Sequence, residues 1–269
     1  MPSKEINNTN IYYELIGNGK EVIAFFNGIA MQTALWQSQL NAVKGDYKVL
    51  LHDFRGQGQS SLEISNFTFK QHADDFNELL KNLEIDKVHI VGVSYGAEVA
   101  MQFALKYPAK VSSLILGTAV SEVKPLLKAM AEAWISTAQT YDGELFFKVM
   151  SPFVYSNTFY ENKGEWLDQR AKIFGDTVTK EWLDAFVELC KNFLTLDLTD
   201  QLHEINIPTL VVSGKKDILK PVSYGELINQ EISNSEFVVV DDAGHGLFAE
   251  KPEEFNQLII DFIKRNESE

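Results

Sequence analysis

The 269-residue sequence predicts an α/β protein, a mostly parallel sheet of eight strands flanked by helices, with a helical segment inserted late in the chain. Three observations predict it. Short apolar, β-branched runs at residues 22–26, 47–51, 87–91, 111–116, 207–212 and 237–240 read as strands buried on both faces. Segments with helical spacing separate several of them, the alternation of β-α-β units. From about residue 121 to 199 the strand signal disappears and only helical spacing remains, so residues 1–120 and 200–269 are expected to form the core and 121–199 an inserted helical cap.

Taken in order, residues 4–7 and 11–16 are two weaker strands separated by the turn-rich Asn7-Asn8-Thr9-Asn10, an antiparallel start to the sheet. The spacing predicts helices over 68–83 and 97–106, the second stopped by Tyr107-Pro108 because a residue before proline disfavours helical backbone. In the insertion, helical spacing covers 122–141, 143–150, 165–174 and 180–196. That insertion holds 13 aromatic residues against 18 in the rest of the chain, enough large apolar side chains both to dock and to line a pocket. Trp134, Phe146, Phe153 and Phe159 are the expected lining, with Phe147, Tyr155 and Trp166 beside them. Pro252 opens a final helix, and the acidic end at 266–269 reads as a solvated tail.

Composition narrows the function. Thirty-eight acidic and 24 basic residues give a formal charge of −14, which repels a polyphosphate backbone, so nucleic acid is not an expected partner. No run approaches the roughly 18 apolar residues of a membrane helix, and the first residues lack the apolar stretch of a secretory signal, so a cytoplasmic protein is expected. A single cysteine, Cys190, and five scattered histidines offer neither a disulfide nor a structural zinc site; Cys190 reads as a packed thiol, and neither metal nor cofactor is expected.

Directly after the strand at 87–91 comes Gly92-Val93-Ser94-Tyr95-Gly96, followed by a helix-forming stretch. The bare G-x-S-x-G pattern is expected about 0.06 times by chance in this composition. Its placement between strand and helix, where open α/β sheets put ligands, makes Ser94 the candidate nucleophile. A serine hydroxyl needs a histidine base and a carboxylate to hold the imidazole. His245, in the loop Asp241-Asp242-Ala243-Gly244-His245-Gly246 after the last strand, is the candidate base, whereas His52, His72, His89 and His203 read as structural or surface residues. Asp217, in the loop after the strand at 207–212, is the candidate acid, with Glu122 as the alternative; Asp241 and Asp242 read as turn formers. This loop lacks the three-glycine spacing that admits a pyrophosphate, and no other segment supplies it, which argues against a dinucleotide-binding fold.

With the order Ser94, Asp217, His245, the chain resembles the α/β-hydrolase superfamily over essentially its whole length. The loop Asn27-Gly28-Ile29-Ala30 stands where that family usually carries a His-Gly pair, with Asn27 in place of the histidine. The resemblance implies that the backbone N–H groups of Ile29 and Tyr95 form an oxyanion hole and that Asn27 and Gly28 lie beside the substrate. The segment from Asp53 to Ser60 looks like the family's Asp-x-Arg-Gly-x-Gly-x-Ser loop and reads as structural. The Asn27 loop and residues 241–262 look similar to the small carboxylesterase and 3-oxoadipate enol-lactonase branches. Haloalkane dehalogenases and epoxide hydrolases of this fold carry aspartate at the elbow, which argues against both.

The expected activity is therefore a cofactor-independent serine hydrolase acting on a small carboxylic ester, thioester or lactone. A carbon–carbon bond hydrolase or enol-lactonase of the same fold is one alternative, and a hydrolase-like receptor for a small signalling ligand is another. The aromatic insertion favours apolar acyl groups, unless Lys124, Lys128, Lys148 or Arg170 turns inward and favours an anion.

Overall fold

The computed structural model describes residues 3–62 and 68–267; the first two residues of the chain and the last two of its acidic tail lie outside the described residues. Strands β1 (Ser3–Ile6) and β2 (Thr9–Ile16) pair antiparallel, joined by Asn7 and Asn8, both in the left-handed region that a two-residue hairpin turn requires. Strands β3 (Val22–Phe26), β4 (Lys48–His52), β5 (Val88–Val93), β6 (Val111–Gly117), β7 (Thr209–Gly214) and β8 (Ser235–Val240) complete an eight-stranded sheet of order β1-β2-β4-β3-β5-β6-β7-β8, parallel from β4 onward. The chain leaves β3 for β4 on one side and returns to β5 on the other. The loops after β3 and β5 therefore diverge at neighbouring strand ends and open a crevice there.

Period-two alternation divides the core between the two faces. Ala24, Phe26, Val88 and Ile90 face a layer with Phe76 and Leu79 of α2 (Phe69–Asn82) and Val99 and Phe103 of α3 (Tyr95–Lys106). Ile23, Phe25, Val91 and Val93 face Leu40 and Val43 of α1 (Gln37–Val43) and Phe255, Ile259 and Phe262 of the final helix. A short α1 and a helix at Val222–Glu231 add to the elements the spacing predicts.

Between β6 and β7 lie only helices: α4 (Pro125–Ala138), α5 (Gly143–Val154), α6 (Asn157–Thr177) and α7 (Lys180–Phe193). The ends of this insertion meet through a bridge between Glu122 and Asp197 and the Leu198 N–H donating to the Ser121 carbonyl at 2.8 Å. Helix α6 starts eight residues before the expected 165 because the Ser156 hydroxyl caps it, accepting from the Phe159 N–H at 3.1 Å. It kinks at Lys163, beside Gly164. Helix α5 runs on through Pro152 to Val154. Among the described residues no helix is long and apolar enough to cross a membrane.

Candidate active site

Ser94 stands between β5 and α3 with φ 51° and ψ −124°, a strained conformation for a side-chain-bearing residue. The flanking glycines make this turn possible. A Cβ on Gly92 would lie 2.6 Å from the Gly96 carbonyl oxygen, and one on Gly96 would collide with the Phe26 carbonyl of β3. The Ser94 N–H donates to the Gly117 carbonyl of β6 at 2.8 Å, which holds the turn against the sheet.

Asp217 and His245 arrive from the ends of β7 and β8. The Asp217 Oδ1 accepts from the backbone N–H groups of Leu219 at 2.9 Å and Lys220 at 2.8 Å, which aims Oδ2 at His245 Nδ1, 2.8 Å away. With a carboxylate facing Nδ1, that nitrogen carries the proton and Nε2 accepts from Ser94 Oγ at 2.9 Å. The structure thus brings Ser94, His245 and Asp217 into one hydrogen-bonded chain. The histidine loop is itself fastened to the insertion, where the Gly246 N–H donates to the Val154 carbonyl at 2.7 Å.

The alternative acid, Glu122, sits in the bridge closing the insertion and pairs with Lys124 at 3.4 Å. Asp242 adopts φ 54° in its turn and pairs with Lys216 and Lys251. His52 and His72 are buried, and burial lowers each to about 3. His89 meets the Ser113 hydroxyl inside the sheet, and His203 belongs to a short turn of 3₁₀ helix at Thr199–Glu204. Cys190 is buried, which pushes its thiol pKa well up.

The loop after β3 is pinned from beneath. Asn27 is fully buried; its amide donates to the His52 carbonyl at 3.1 Å and Asp53 Oδ1 at 3.0 Å, and its carbonyl accepts from Trp36 Nε1 at 2.8 Å. Asp53 also accepts from the N–H groups of Thr33 and Gln59, and Gln57 Nε2 donates to the carbonyls of Gly28 at 2.8 Å and Ile29 at 3.1 Å. These bonds engage the loop's carbonyls. The Tyr95 N–H, at the first position of α3, has no acceptor within its helix. Arg55 reaches out of the Asp53 to Ser60 loop and pairs with Asp75 of α2.

The family described as alpha/beta hydrolase fold matches residues 21–252. The chain belongs to this family. It is 28% identical over 253 residues to 3-oxoadipate enol-lactonase 1 of Acinetobacter baylyi, covering 92% of this chain and 91% of that protein. It is 29% identical over 266 residues to 2-hydroxy-6-oxononadienedioate/2-hydroxy-6-oxononatrienedioate hydrolase 1 of Pseudomonas putida, covering 94% and 92%. Among solved structures, MGS-M2, an alpha/beta hydrolase enzyme from a Medee basin deep-sea metagenome library, superposes with a TM-score of 0.94 at 29% identity, covering 100% of this chain and 99% of that one.

In this α/β-hydrolase a small cavity opens beside Ser94. Its walls are Ile29 and Leu219 from the core loops and Leu127, Ala131, Trp134 and Phe193 from the insertion, with Lys220 at its edge. Its volume is about 20 Å³, room for about one water molecule. Of the expected lining residues, only Trp134 lines this cavity. Phe146 is buried against Phe186 and Trp182 inside the insertion, Phe153 packs edge-on to Trp134 from behind, and Phe159 stacks on Tyr155. Asn27 and Gly28 lie beneath the loop whose next residue, Ile29, reaches the cavity. Helical spacing names the apolar residues of an aromatic-rich helix but does not choose which neighbour each one faces.

The inward cation comes from the core. Lys124, Lys128, Lys148 and Arg170 are all exposed. Lys220, only 3% exposed, places Nζ 2.9 Å and 3.1 Å from the two carboxylate oxygens of fully buried Glu98, and 3.3 Å from Ser94 Oγ. Burial pushes the Glu98 carboxyl up, against the pull of Lys220 and of the Val120 N–H that Glu98 also accepts at 3.0 Å. Two sequence signals mark this pair: Glu98 lies one helical turn after Ser94 within the otherwise apolar stretch Ala97-Glu98-Val99-Ala100-Met101, and Lys220 interrupts the apolar run Ile218-Leu219-Lys220-Pro221.

Proposed function

We propose that this protein is a cofactor-independent serine hydrolase cleaving small carboxylic esters, with thioesters and lactones open to it through the same tetrahedral intermediate. The observation that carries the reading is the continuous chain from Asp217 through His245 to Ser94, with contacts of 2.8 and 2.9 Å at the ends of three parallel strands. Ser94 Oγ attacks the acyl carbon as its proton passes to His245 Nε2. Asp217 holds the ring and steadies its positive charge, and the N–H groups of Ile29 and Tyr95 receive the negative oxygen. His245 then protonates the leaving oxygen. Water, deprotonated by His245, attacks the acyl-enzyme carbon and releases Ser94.

Helices α4 to α7 act as a cap whose Leu127, Ala131 and Trp134 wall the acyl site. The test is a panel of esters, thioesters and lactones on wild type and Ser94→Ala, beside a fluorophosphonate probe. Wild type should turn over part of the panel and take one label. Ser94→Ala should lose both, with roughly 10⁶ as the scale of the lost turnover. Activity surviving in Ser94→Ala overturns the reading. The Pseudomonas relative's name favours one further reading, hydrolysis of a carbon–carbon bond beside a ketone, which product analysis on a vinylogous diketone separates from ester cleavage.

A further inference from the structure

We propose that Lys220 is a specificity-determining residue that selects substrates carrying a neutral hydrogen-bond acceptor on the acyl chain close to the scissile carbonyl. The inference rests on the Ser94 hydrolase reading and adds a substrate class to it. Lys220 is the charged group on an otherwise mostly apolar cavity, and its Nζ lies 3.3 Å from Ser94 Oγ. His245, which must reach the leaving oxygen, does not line that cavity, so the cavity takes the acyl side.

An ammonium has three N–H bonds, and Lys220 directs them at Glu98 and at Ser94 Oγ. When Ser94 is acylated its oxygen becomes an ester oxygen, a poorer acceptor than a hydroxyl. The N–H that Ser94 held is then released beside the new acyl chain, within reach of an oxygen on its first carbons. Trp134, a wall residue of the same cavity, also has its indole N–H buried with no acceptor among the described residues.

Charge decides between neutral and anionic acceptors. Glu98 already neutralises Lys220, and both are almost wholly buried. A substrate carboxylate would bring a second negative charge to one cation whose pair is already buried, which is costly. An ether, hydroxyl or keto oxygen takes the released N–H without that cost.

The experiment compares methyl butanoate, methyl methoxyacetate, in which an ether oxygen replaces one CH₂, and monomethyl succinate, each kcat/KM divided by the ester's alkaline hydrolysis rate. Wild type should favour the methoxyacetate over the butanoate about tenfold, with the succinate slowest. Lys220→Met should bring the methoxyacetate-to-butanoate ratio to about one. Glu98→Gln, which strips the cation of its counterion, should raise the succinate-to-butanoate ratio at least about tenfold. Ratios taken within one variant are independent of how much of it folds, and if Lys220→Met does not fold, the Glu98→Gln shift decides. A wild-type ratio near one, a ratio unchanged in Lys220→Met, or no succinate shift in Glu98→Gln overturns the inference alone. If none of the three esters is turned over while Ser94-dependent hydrolysis of another ester, thioester or lactone persists, the inference falls alone; absence of Ser94-dependent hydrolysis across all of these overturns the hydrolase reading and the inference with it.

Discussion

Glu250 grips Ser156 across the joint between the His245 loop and the helical insertion. Its carboxylate accepts from the Ser156 hydroxyl at 2.5 Å and the Ser156 N–H at 3.2 Å, and from the Gly244 N–H at 3.1 Å, one residue before His245. The same loop carbonyl region is so close that a Cβ on Gly244 would lie 2.6 Å from the Ser156 nitrogen. One carboxylate therefore fixes both the start of α6 and the backbone that carries the candidate base.

Removing that grip should act on turnover through His245. Glu250→Ala leaves the Gly244 and Ser156 N–H groups without their acceptor and frees the loop, so kcat should fall about 10- to 100-fold, the scale of a roughly 1 Å misplacement. Glu250→Gln keeps a carbonyl acceptor and should lose less. The check is kcat together with the rate of fluorophosphonate labelling; an Ala variant as fast as wild type would show that the loop holds itself.

The two candidate acids separate by their surroundings. Asp217→Asn presents an amide to His245 Nδ1 and selects the wrong tautomer, so kcat should drop by about 10⁴. Glu122→Gln touches only the bridge at the foot of the insertion and its pair with Lys124, and should stay within about threefold. Measured kcat/KM for the two variants, in the opposite order, would reassign the acid.

The contrast between what the sequence disclosed and what it hid follows the range of the interactions. The strands were legible because a chain buried on both faces must be largely apolar, as β3 is from Val22 to Phe26. The elbow was legible because two glycines and a serine solve a crowding problem within five residues. Lys220 and Glu98 lie 122 residues apart in sequence and meet only because β5 and β7 end on the same edge. Each interrupts an apolar stretch of sequence, but nothing local says that the two meet. Phe146 and Phe159 show the other limit: their helices carry apolar residues on several sides, so pattern fixed that they pack and left open what they pack against.

His52 should give the protein an acid-sensitive core. It lies against Phe26, Phe54 and Phe76, neither ring nitrogen has a hydrogen-bond partner among the described residues, and burial lowers it from 6.5 to about 3. Between those values the unfolded chain binds a proton that the folded one refuses, so the contribution of His52 is complete above pH 6.5 and is lost as pH falls toward 3. At pH 5 the loss is about 2 kcal/mol. His52→Leu should therefore reduce the drop in urea stability between pH 7 and pH 5 by about that amount, with little change at pH 7. An equal drop in the variant would place the acid sensitivity in other groups, such as His72.

Acyl length should be limited by Trp134. An apolar wall gains roughly 0.8 kcal/mol per methylene, about fourfold in kcat/KM, only while there is room for the methylene. With room for about one water molecule beside Ser94, about the volume of one methylene, the rise from acetyl should be over by butanoyl, and hexanoyl and benzoyl esters should fall away. Trp134 is the largest side chain on that wall and comes from α4, whose neighbouring wall residues Leu127 and Ala131 are small enough to leave it as the stop. Trp134→Ala would convert the indole volume into acyl space, so the optimum should move to hexanoyl or longer while acetyl turnover falls for want of contacts. Trp134→Phe, which keeps most of the wall, should leave the optimum where wild type has it. The measurement is kcat/KM across acetyl, butanoyl, hexanoyl and benzoyl esters in the three proteins. A wild-type optimum at hexanoyl would mean that α4 moves outward when substrate enters, and an optimum unmoved in Trp134→Ala would mean that the stop lies elsewhere, on Phe193 or Leu127.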